Sequence, residues 1–358
     1  MFFEKVQELI QQFELDGYFV HNVVDVQYLT GVHFETEPTL VVPAHGNASL
    51  VISALDYQMA TELVQDPMVE FIKVVAPKKT TEYLQEVITE MGGNKWGFDD
   101  SHLTVAAFEQ LRNNFPNLEL VAKKDVFVDA RICKSPAEIE KMQKAAEISD
   151  AALQKVPELL SAGRTENSLA AELEYIMKEE GSQKPGFDTI IASGPRSWYP
   201  HGTATTRELE EGDIVTVDLG ATWDGYRSDC TRTFIVGEYS QDAKDIINLV
   251  NETQKRGVET VEVGKTGKDV DEVCRNYLAE QGYGDDFFVH STGHGVGLDV
   301  HEEPSISRLG ERPLEEGMVI TIEPGIYVPG KGGARTEDTL VVGASGPIIL
   351  TKAPIIYY

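Results

Sequence analysis

The sequence has few cysteines, and their spacing excludes two kinds of site. Three occur among 358 residues, Cys133, Cys230 and Cys274, an odd and widely separated set. They form neither a disulfide framework nor a paired-cysteine zinc site. A chain of this length needs no covalent staples either, because it buries well over half of the surface that it exposes when unfolded. We therefore expect a protein of a reducing compartment.

Basic residues and long apolar runs are also scarce. Lysine and arginine number 31 against 59 acidic residues, a formal charge of -28, and no basic stripe suggests a nucleic-acid partner. No apolar run approaches the roughly 18 residues that a membrane span requires. Glu4, Lys5 and Glu8 occupy positions where a signal peptide would need an apolar core. The sequence thus predicts a cytoplasmic protein without nucleic-acid or membrane partners.

The excess of acidic residues has more than one explanation. A solvated, self-repelling surface accounts for most of it. The alternatives are adaptation to a salty cytoplasm and a cluster of metal-binding carboxylates, which would use only a few of the charges.

The pattern of helices and strands predicts an α/β (α+β) protein of two domains. At roughly 150 residues per domain, 358 residues suggest two domains or one large one. The long helical stretch that opens at Lys134-Ser135-Pro136 places the boundary near residue 130, between a smaller α/β domain over 1–130 and a larger domain over 131–358. Ser135 and Pro136 indicate the cap and first residue of a helix that continues to residue 160. Helical periodicity predicts further helices over 2–14, 55–65, 102–114, 165–180, 240–262 and 267–281. Apolar runs predict strands at GYFV, TLVV and SLVI and over 187–192, 213–220, 226–236, 318–328 and 334–342.

One segment of the sequence occurs twice. Residues 209–220 align without gaps on residues 314–325, at an offset of 105 residues, and both copies begin Leu-Glu-Glu-Gly. Chance similarity between two amphipathic strands is one explanation. The other is a duplicated half-domain, with related hairpins facing each other across a pseudo-twofold axis. Two copies at this spacing do not make a solenoid.

Each copy leads into a hairpin that would pair two acidic residues. In the first, the Asp-Gly step indicates a turn, and centring it between Trp223 and Asp224 places Asp218 opposite Asp229. In the second, a turn centred on Gly330 places Glu323 opposite Glu337. Directly opposed residues have Cβ atoms roughly 4.5–5.5 Å apart, and carboxylates this close repel each other unless a proton or a cation lies between them. The register therefore predicts a cation site rather than scattered surface acids.

Half of the histidines lie in glycine-rich segments. His290, His294 and His301 occur in FVHSTGHGVGLDVHEEP, and His201 occurs in SGPRSWYPHG. Each one alone is compatible with a packed or hydrogen-bonded residue. A histidine beside four carboxylates, however, suits manganese, cobalt, iron or zinc ions.

With these motifs the sequence resembles the pita-bread metallopeptidases, the family of prolidase, aminopeptidase P, methionine aminopeptidase and creatinase. The resemblance rests on SGPRSWYPHG, DLGATWDGYRSDCTRTF, HSTGHGVGLDVHEEP, IEPGIY and GGARTEDT, in that order. LDGYFV and VQYLTG resemble the smaller N-terminal domain of the prolidase and aminopeptidase P branch, which methionine aminopeptidases usually lack. The resemblance implies that 131–358 is a pita-bread domain with a pseudo-twofold internal repeat.

The resemblance also implies a set of metal ligands. Five positions match: Asp218, Asp229, His294, Glu323 and Glu337. Asp218 would hold one divalent ion, His294 and Glu323 would hold the other, and the remaining two carboxylates would bridge them. Creatinase lacks these ligands, so the complete set implies a catalytic relative.

Catalytic and substrate-binding roles follow from the same resemblance. It implies that Glu323 is a proton shuttle towards the leaving nitrogen, that His301 stabilises the oxyanion and that His201 positions the scissile bond. The remaining matched residues line the active site or orient its carboxylates. They are His290 and Tyr327, which line it, with His290 towards the proline pocket, and Arg335, which orients the ligands.

The resulting expectation is a two-metal exopeptidase that hydrolyses Xaa-Pro bonds, with the Xaa-Pro dipeptidase, prolidase, placed first. Related prolidases often carry an arginine after the HExP motif that binds the dipeptide carboxylate. This sequence has Ser305 there, and Arg308 is the candidate substitute. The alternative is aminopeptidase P, whose longer substrates do not need that charge. A non-catalytic peptide-binding relative is a remote alternative, and hydrolysis of organophosphate esters would be a side activity of the same centre.

The cofactors and partners are implied by the same resemblance. We expect two divalent metal ions per chain, with manganese first and cobalt, zinc or iron as alternatives. The expected partners are small peptides with proline at the second position and a second copy of the chain in a homodimer.

Overall fold

A computed structural model describes residues 2–358. The chain forms two compact units, Met1–Arg131 and Ile132–Tyr358. Both mix helices and strands, as the predicted fold class requires. Within residues 2–358, no helix is both long enough and apolar enough to cross a membrane.

The first unit is built on one mixed sheet with the strand order β4-β3-β2-β1-β5-β6. Its strands are β1 (Gly17–Val20), β2 (Thr39–Pro43), β3 (Ala48–Ser53), β4 (Val69–Val74), β5 (Lys95–Phe98) and β6 (Glu119–Ala122). Its helices are α1 (Phe2–Gln12), α2 (Val23–Thr30), α3 (Tyr57–Leu63), α4 (Thr80–Met91), α5 (Val105–Asn114) and α6 (Asp125–Arg131). Phe19 and Trp96 are fully buried in this unit, with ring centroids 5.3 Å apart.

The predicted strands of this unit are confirmed, but three helices, α2, α4 and α6, were not predicted. GYFV, TLVV and SLVI lie in β1, β2 and β3. Helix α2 was missed because its sequence, VVDVQYLT, is rich in β-branched residues that favour strands. Its caps give the better signal, since the Asn22 side chain accepts a hydrogen bond from the Val24 N–H and Gly31 ends the helix at φ 73°.

The second unit contains longer helices and several small sheets. Its helices are α7 (Pro136–Leu153), α8 (Val156–Leu159), α9 (Glu166–Glu179), α10 (Gln241–Thr260) and α11 (Gly267–Glu280). Its strands are β7 (Ile190–Ser193), β8 (Ile214–Leu219), β9 (Thr222–Trp223), β10 (Tyr226–Arg227), β11 (Cys230–Ile235), β12 (Gly293–Gly295), β13 (Glu302–Ile306), β14 (Val319–Ile322), β15 (Gly325–Val328), β16 (Gly332–Arg335), β17 (Asp338–Gly343) and β18 (Gly346–Ile349).

Helix α7 begins where the sequence predicts it. Ser135 caps the helix, Pro136 is its first residue, and Ser135 and Glu138 form a reciprocal capping box. The predicted single helix to residue 160 is instead divided, because α7 ends at Leu153 and the short α8 starts at Val156, next to a proline at its second position. Proline at the start of a helix leaves no N–H for the preceding turn, which explains the break.

The same arrangement of elements occurs twice in the second unit. In the first half, β8 pairs antiparallel with β7 and β11. In the second half, β14 pairs antiparallel with β12 and β17. Each set follows a helix pair, α7 and α9 in the first and α10 and α11 in the second. This repetition confirms the duplicated half-domain predicted from the two aligned segments.

Three strands predicted as continuous are interrupted, and an acidic residue lies at each interruption. The run over 226–236 divides into β10 and β11 at Ser228 and Asp229. The run over 318–328 divides into β14 and β15 at Glu323 and Pro324, because proline has no N–H to continue the ladder. The run over 334–342 divides into β16 and β17, and there the Glu337 N–H donates to the carbonyl of Thr231 in the other half, at 3.1 Å. Glu323 and Glu337 are therefore placed where the chain leaves one sheet and enters another.

Replacement of Gly225 by alanine tests the first hairpin turn, in which Asp224 has φ 48° and Gly225 has φ 83°. A left-handed backbone costs a residue with a side chain roughly 1–2 kcal/mol. We expect Gly225→Ala to lower the free energy of unfolding in urea by about 1 kcal/mol. The matched control is Gly284→Ala, where an added Cβ meets nothing within 4 Å and φ is not left-handed. Equal losses in both variants would contradict this turn geometry.

Candidate metal centre

The first hairpin brings two acidic residues to one face, although not in the predicted register. Strands β8 and β11 pair so that Asp218 lies opposite Thr231. The predicted pairing of Asp218 with Asp229 is therefore wrong by two residues. The turn is centred on Asp224 and Gly225, both with positive φ, rather than one residue earlier. Because strand side chains alternate with a period of two, Asp229 still points to the same face as Thr231.

The second hairpin has the predicted register. Ile322 pairs with Asp338 on one side and Gly325 pairs with Arg335 on the other. Between these pairs Glu323 lies opposite Glu337, as the sequence predicts. The interruption at Pro324 leaves the register unchanged across the gap, so both carboxylates point to the same face.

A histidine from a third strand completes the cluster. His294 lies in β12, and its Nε2 is 3.3 Å from a carboxylate oxygen of Glu323 and 3.7 Å from one of Asp229. Its Nδ1 is 3.0 Å from the carbonyl of Gly295. A proton on Nδ1 that is donated to this carbonyl leaves the Nε2 lone pair facing the carboxylates, as in a metal-ligating histidine. Ligand atoms of Asp229, His294 and Glu337 all lie within 4.8 Å of one another.

Two oxygen atoms of the cluster are buried and have no hydrogen-bond partner. They are Oδ1 of Asp218 and Oε1 of Glu337. A buried carboxylate oxygen without a partner is unfavourable by more than the roughly 1–3 kcal/mol of an ordinary unsatisfied polar group. Oxygen atoms from several carboxylates together with one imidazole nitrogen are the donor set of a borderline or hard divalent cation. The residues present therefore fit a metal site.

Burial and mutual repulsion keep protons on this cluster. Burial raises the pKa of Glu323 to about 7, against the opposing effect of Arg335. The pKa values of Asp229 and Glu337 are raised well above their ordinary values, first by burial and then by the neighbouring carboxylates. Burial also lowers the pKa of His294, so its imidazole is neutral. The cluster thus exchanges protons for cations, as metal sites do.

Arg335 joins the cluster to two other predicted residues. Its Nη2 donates to Asp218 at 2.6 Å, and its Nη1 donates to the Tyr327 hydroxyl at 2.7 Å. That hydroxyl lies 2.9 Å from Nε2 of His290, and burial lowers the pKa of His290 to about 3. The Nδ1 of His290 is 2.7 Å from the carbonyl of Ser291. Arg335, Tyr327 and His290 therefore form one hydrogen-bonded row that starts at the carboxylates.

Two further predicted residues, His301 and His201, lie near this row. His301 is exposed, and its ring centroid lies 4.3 Å from that of His294. His201 is exposed and follows Pro200, whose carbonyl accepts a hydrogen bond from Nη1 of Arg335 at 3.0 Å. Both histidines are therefore accessible to solvent beside the cluster.

Arg308 contacts the site only indirectly. Its guanidinium is exposed and pairs with Asp285, which also lies 3.4 Å from Nη1 of Arg275. Nη2 of Arg275 donates to the carbonyl of His290 at 2.6 Å. Because both Arg308 and Asp285 are largely exposed, this pair is weak and leaves the guanidinium available to another anion.

Sequence reasoning missed two residues that support the carboxylates. Thr231 is fully buried and donates from its hydroxyl to Oε2 of Glu337 at 2.7 Å. Arg232 is also buried, donates to the main-chain carbonyl of Glu337, and pairs with Asp338 at 2.6 Å. The signal for Thr231 was its position opposite Asp218, which only the correct register reveals. Arg232 gives no local signal, because its partners Glu337 and Asp338 are more than 100 residues away along the chain.

A buried cluster of carboxylates and a histidine, carried on two related hairpins, defines a metal-dependent enzyme of the duplicated α/β type. Family comparisons agree with this class. Residues 140–344 match the model of "Metallopeptidase family M24", and residues 3–133 match the "Creatinase/Prolidase N-terminal domain". The chain belongs to the M24 family of metallopeptidases, which implies that the cluster binds divalent metal ions.

Individual relatives resemble the chain over its whole length. An Xaa-Pro dipeptidase of Pyrococcus furiosus is 40% identical over 98% of this chain and 97% of its own length. The crystal structure of the prolidase from Pyrococcus horikoshii has a TM-score of 0.92 at 39% identity, covering 100% of this chain and 99% of that one. An X-Pro aminopeptidase from Thermotoga maritima has a TM-score of 0.91 at 33% identity, covering 99% of both chains.

Replacement of Thr231 by valine tests the support of Glu337. Valine keeps the shape of threonine but removes the hydroxyl that donates to Oε2. Loss of a hydrogen bond to a metal ligand typically lowers metal affinity about 10–100-fold. We expect a loss of this size in a titration of manganese against a competing chelator.

Thr253→Val is the matched control for this variant. Thr253 is equally buried, but its hydroxyl donates to the carbonyl of Leu249 within α10. We expect its manganese affinity to stay unchanged. Equal affinities in the two variants would contradict a supporting role for Thr231.

The raised pKa values predict how the stability of the metal-free protein depends on pH. The folded protein holds protons on Glu323, Asp229 and Glu337 at pH values where the unfolded chain has lost them. Folding stability therefore falls as the pH rises from the unfolded pKa of these groups through the folded one, near 7 for Glu323.

We expect the melting temperature of the metal-free protein to fall between about pH 5 and pH 8, and that of the manganese-loaded protein to fall much less. Thermal unfolding across this range, with manganese or with chelator, measures both slopes. The Glu337→Gln variant, which removes one of the titrating groups, is expected to reduce the slope of the metal-free form. Identical slopes with and without metal would rule out the carboxylates as the cause.

Proposed function

We propose that this chain is an Xaa-Pro dipeptidase that uses two divalent metal ions. The observation that carries the proposal is the buried set of carboxylates with His294, in which two oxygens lack any hydrogen-bond partner. The dipeptidase name of the Pyrococcus furiosus relative supports the substrate class, at 40% identity over nearly the full length.

The metal ions would be divided between the two hairpins. Asp218 would hold one ion, His294 and Glu323 would hold the other, and the carboxylates of Asp229 and Glu337 would bridge them. When bound, such ions lower the pKa of a water molecule and polarise the substrate carbonyl. We propose manganese as the native metal, with cobalt, zinc or iron as alternatives, because all suit oxygen and imidazole donors.

The residues around the cluster would carry the steps of hydrolysis. The Glu323 carboxylate takes a proton from the attacking water and passes it to the proline nitrogen as the C–N bond breaks. His301 donates to the carbonyl oxygen on which charge develops. His201 contacts the scissile bond on its nitrogen side. The products are a free amino acid and proline.

The proline ring would be bound by the row that starts at Arg335. His290 is neutral, since its pKa is lowered to about 3 by burial, and its ring packs edge-on to that of Phe288 at 5.2 Å between centroids. A neutral imidazole beside an aromatic ring and the Tyr327 ring offers an apolar wall. The proline nitrogen of an Xaa-Pro bond has no N–H. An apolar wall beside it therefore leaves no hydrogen-bond donor of this bond without a partner.

The carboxylate end of the dipeptide is the point at which the two subtypes differ. Arg308 is exposed and only weakly paired, so it is available to bind this group. Ser305, in contrast, offers no charge, and the similarity to the Thermotoga maritima X-Pro aminopeptidase keeps an Xaa-Pro aminopeptidase as the second candidate. We further propose a cytoplasmic location and a homodimer, and light scattering of the purified protein tests the dimer.

Comparison of substrates tests the proposed function. We expect the manganese-loaded protein to hydrolyse Ala-Pro faster than Ala-Pro-Ala, and to leave Ala-Ala intact. Glu323→Gln is expected to lower kcat by at least about 100-fold, whereas Glu262→Gln, on an exposed loop, is expected to have no effect. Preference for Ala-Pro-Ala would identify the aminopeptidase, and failure to cleave either proline peptide would refute both candidates.

Arg308→Ala tests whether Arg308 binds the carboxylate of the dipeptide. Loss of a charge-assisted hydrogen bond is expected to raise KM for Ala-Pro by about tenfold while leaving KM for Ala-Pro-Ala unchanged. Arg256→Ala serves as control, because Arg256 is a similarly exposed arginine paired with an acidic residue, Glu252, at 3.1 Å. An equal rise in KM for both peptides would count against Arg308 as the carboxylate-binding residue.

A further inference from the structure

His201 lies on a loop that has almost no regular structure of its own. The loop leaves β7 at Ser193, makes one 3-10 turn over Gly194–Arg196, and returns towards α9 at Thr205. His201 is exposed near its tip. Something outside the loop must therefore fix its conformation if His201 is to act at a defined position.

One buried carboxylate binds both ends of this loop. Glu166, the first residue of α9, has no exposed surface. Its Oε1 accepts from the Ser193 N–H at 3.0 Å and the Ser193 hydroxyl at 2.6 Å. Its Oε2 accepts from the Thr205 N–H at 3.0 Å and the Thr205 hydroxyl at 2.6 Å. The same oxygen also pairs with Arg196.

Two arginines, Arg196 and Arg335, make further contacts along the loop. Nη2 of Arg196 donates across the loop to the carbonyl of Thr203 at 2.8 Å. At the tip, Arg335 donates to the carbonyl of Pro200 at 3.0 Å, immediately before His201. The base of the loop is thus fixed by Glu166, and the tip is fixed by the arginine that binds the carboxylate of Asp218.

We infer that Glu166 is a positioning residue that sets the location of His201 relative to the metal centre. The inference rests on the role proposed above for His201. Only a carboxylate can make all of these contacts, because both of its oxygens accept hydrogen bonds and one of them also pairs with the Arg196 guanidinium. Glutamine offers a single acceptor oxygen, and its amide group would meet either the donors of Ser193 or those of Thr205 and Arg196.

The central test is a double-mutant cycle between Glu166 and His201, with kcat for Ala-Pro as the readout. Glu166→Gln is expected to lower kcat by about tenfold or more, with manganese affinity within about twofold of the parent. In the His201→Asn background, Glu166→Gln is expected to have little further effect, because the residue that it positions is already absent. Additive losses would overturn the inference.

A second readout does not depend on activity. When Glu166 no longer binds Arg196, the loop is expected to open, and trypsin is expected to cleave native protein after Arg196 at least about tenfold faster than in the parent. Mass spectrometry of the fragments identifies this bond. A loop that stays resistant in Glu166→Gln would refute the inference whatever the kinetics show.

Two further variants separate this role from a general loss of stability. Thr205→Val removes one loop donor while keeping Glu166, and is expected to give a smaller loss of kcat that also vanishes in the His201→Asn background. Asp25→Asn is the matched control, since Asp25 is a buried carboxylate in the other unit that pairs with Arg131 at 2.8 Å. It is expected to lower the melting temperature without accelerating cleavage after Arg196.

The outcomes distinguish the role of His201 from that of Glu166. If His201→Asn alone leaves kcat unchanged, the role proposed for His201 fails. If His201→Asn lowers kcat but Glu166→Gln neither couples to it nor opens the loop, the positioning role of Glu166 fails while the proposed function stands.

Discussion

Repulsion among buried carboxylates is the constraint on which the second unit depends. Asp218, Asp229, Glu323 and Glu337 lie close enough to act on one another, and the guanidinium of Arg335 contacts Asp218 and Glu323. Two like charges 4 Å apart repel by about 4 kcal/mol at an effective dielectric constant of 20. A single arginine cannot offset four such charges, so the folded protein must hold protons or cations at this place. The stability of this unit therefore depends on whether protons or cations occupy the cluster.

The rest of the structure supplies the rigidity that such a cluster needs. Main-chain register fixes the hairpins, and buried side chains then hold individual carboxylates, as Thr231 and Arg232 do for Glu337. Arg232 also donates to the carbonyl of Ala353, beyond the last strand. The segment that follows β18 thus helps, through Arg232, to fix the position of Glu337.

Much of the fold and of the candidate site could be predicted from local signals. Ser135 and Pro136 marked the start of α7, and the register between Glu323 and Glu337 was correct because the turn is centred on Gly330, as predicted. The register of the first hairpin was wrong by two residues, since the turn uses Asp224 as well as Gly225 in left-handed conformations. Sequence alone shows which residues favour such a backbone, but not how many of them use it.

The supporting residues were beyond sequence reasoning for a different reason. Thr231, Arg232 and Glu166 act through partners that are distant along the chain or in irregular loops, and a single sequence contains no signal for such contacts. Their types are also unremarkable locally, because threonine and arginine are common in strands and an acidic residue is favoured at a helix start.

The duplication itself has an evolutionary consequence. Each half carries two of the four carboxylates, so an ancestral half-domain would have surrounded a cation only as a symmetric pair, with its affinity dependent on concentration. Fusion of two such genes would have made the pairing intramolecular and released the copies from symmetry, and His294 beside the carboxylates belongs to the second half.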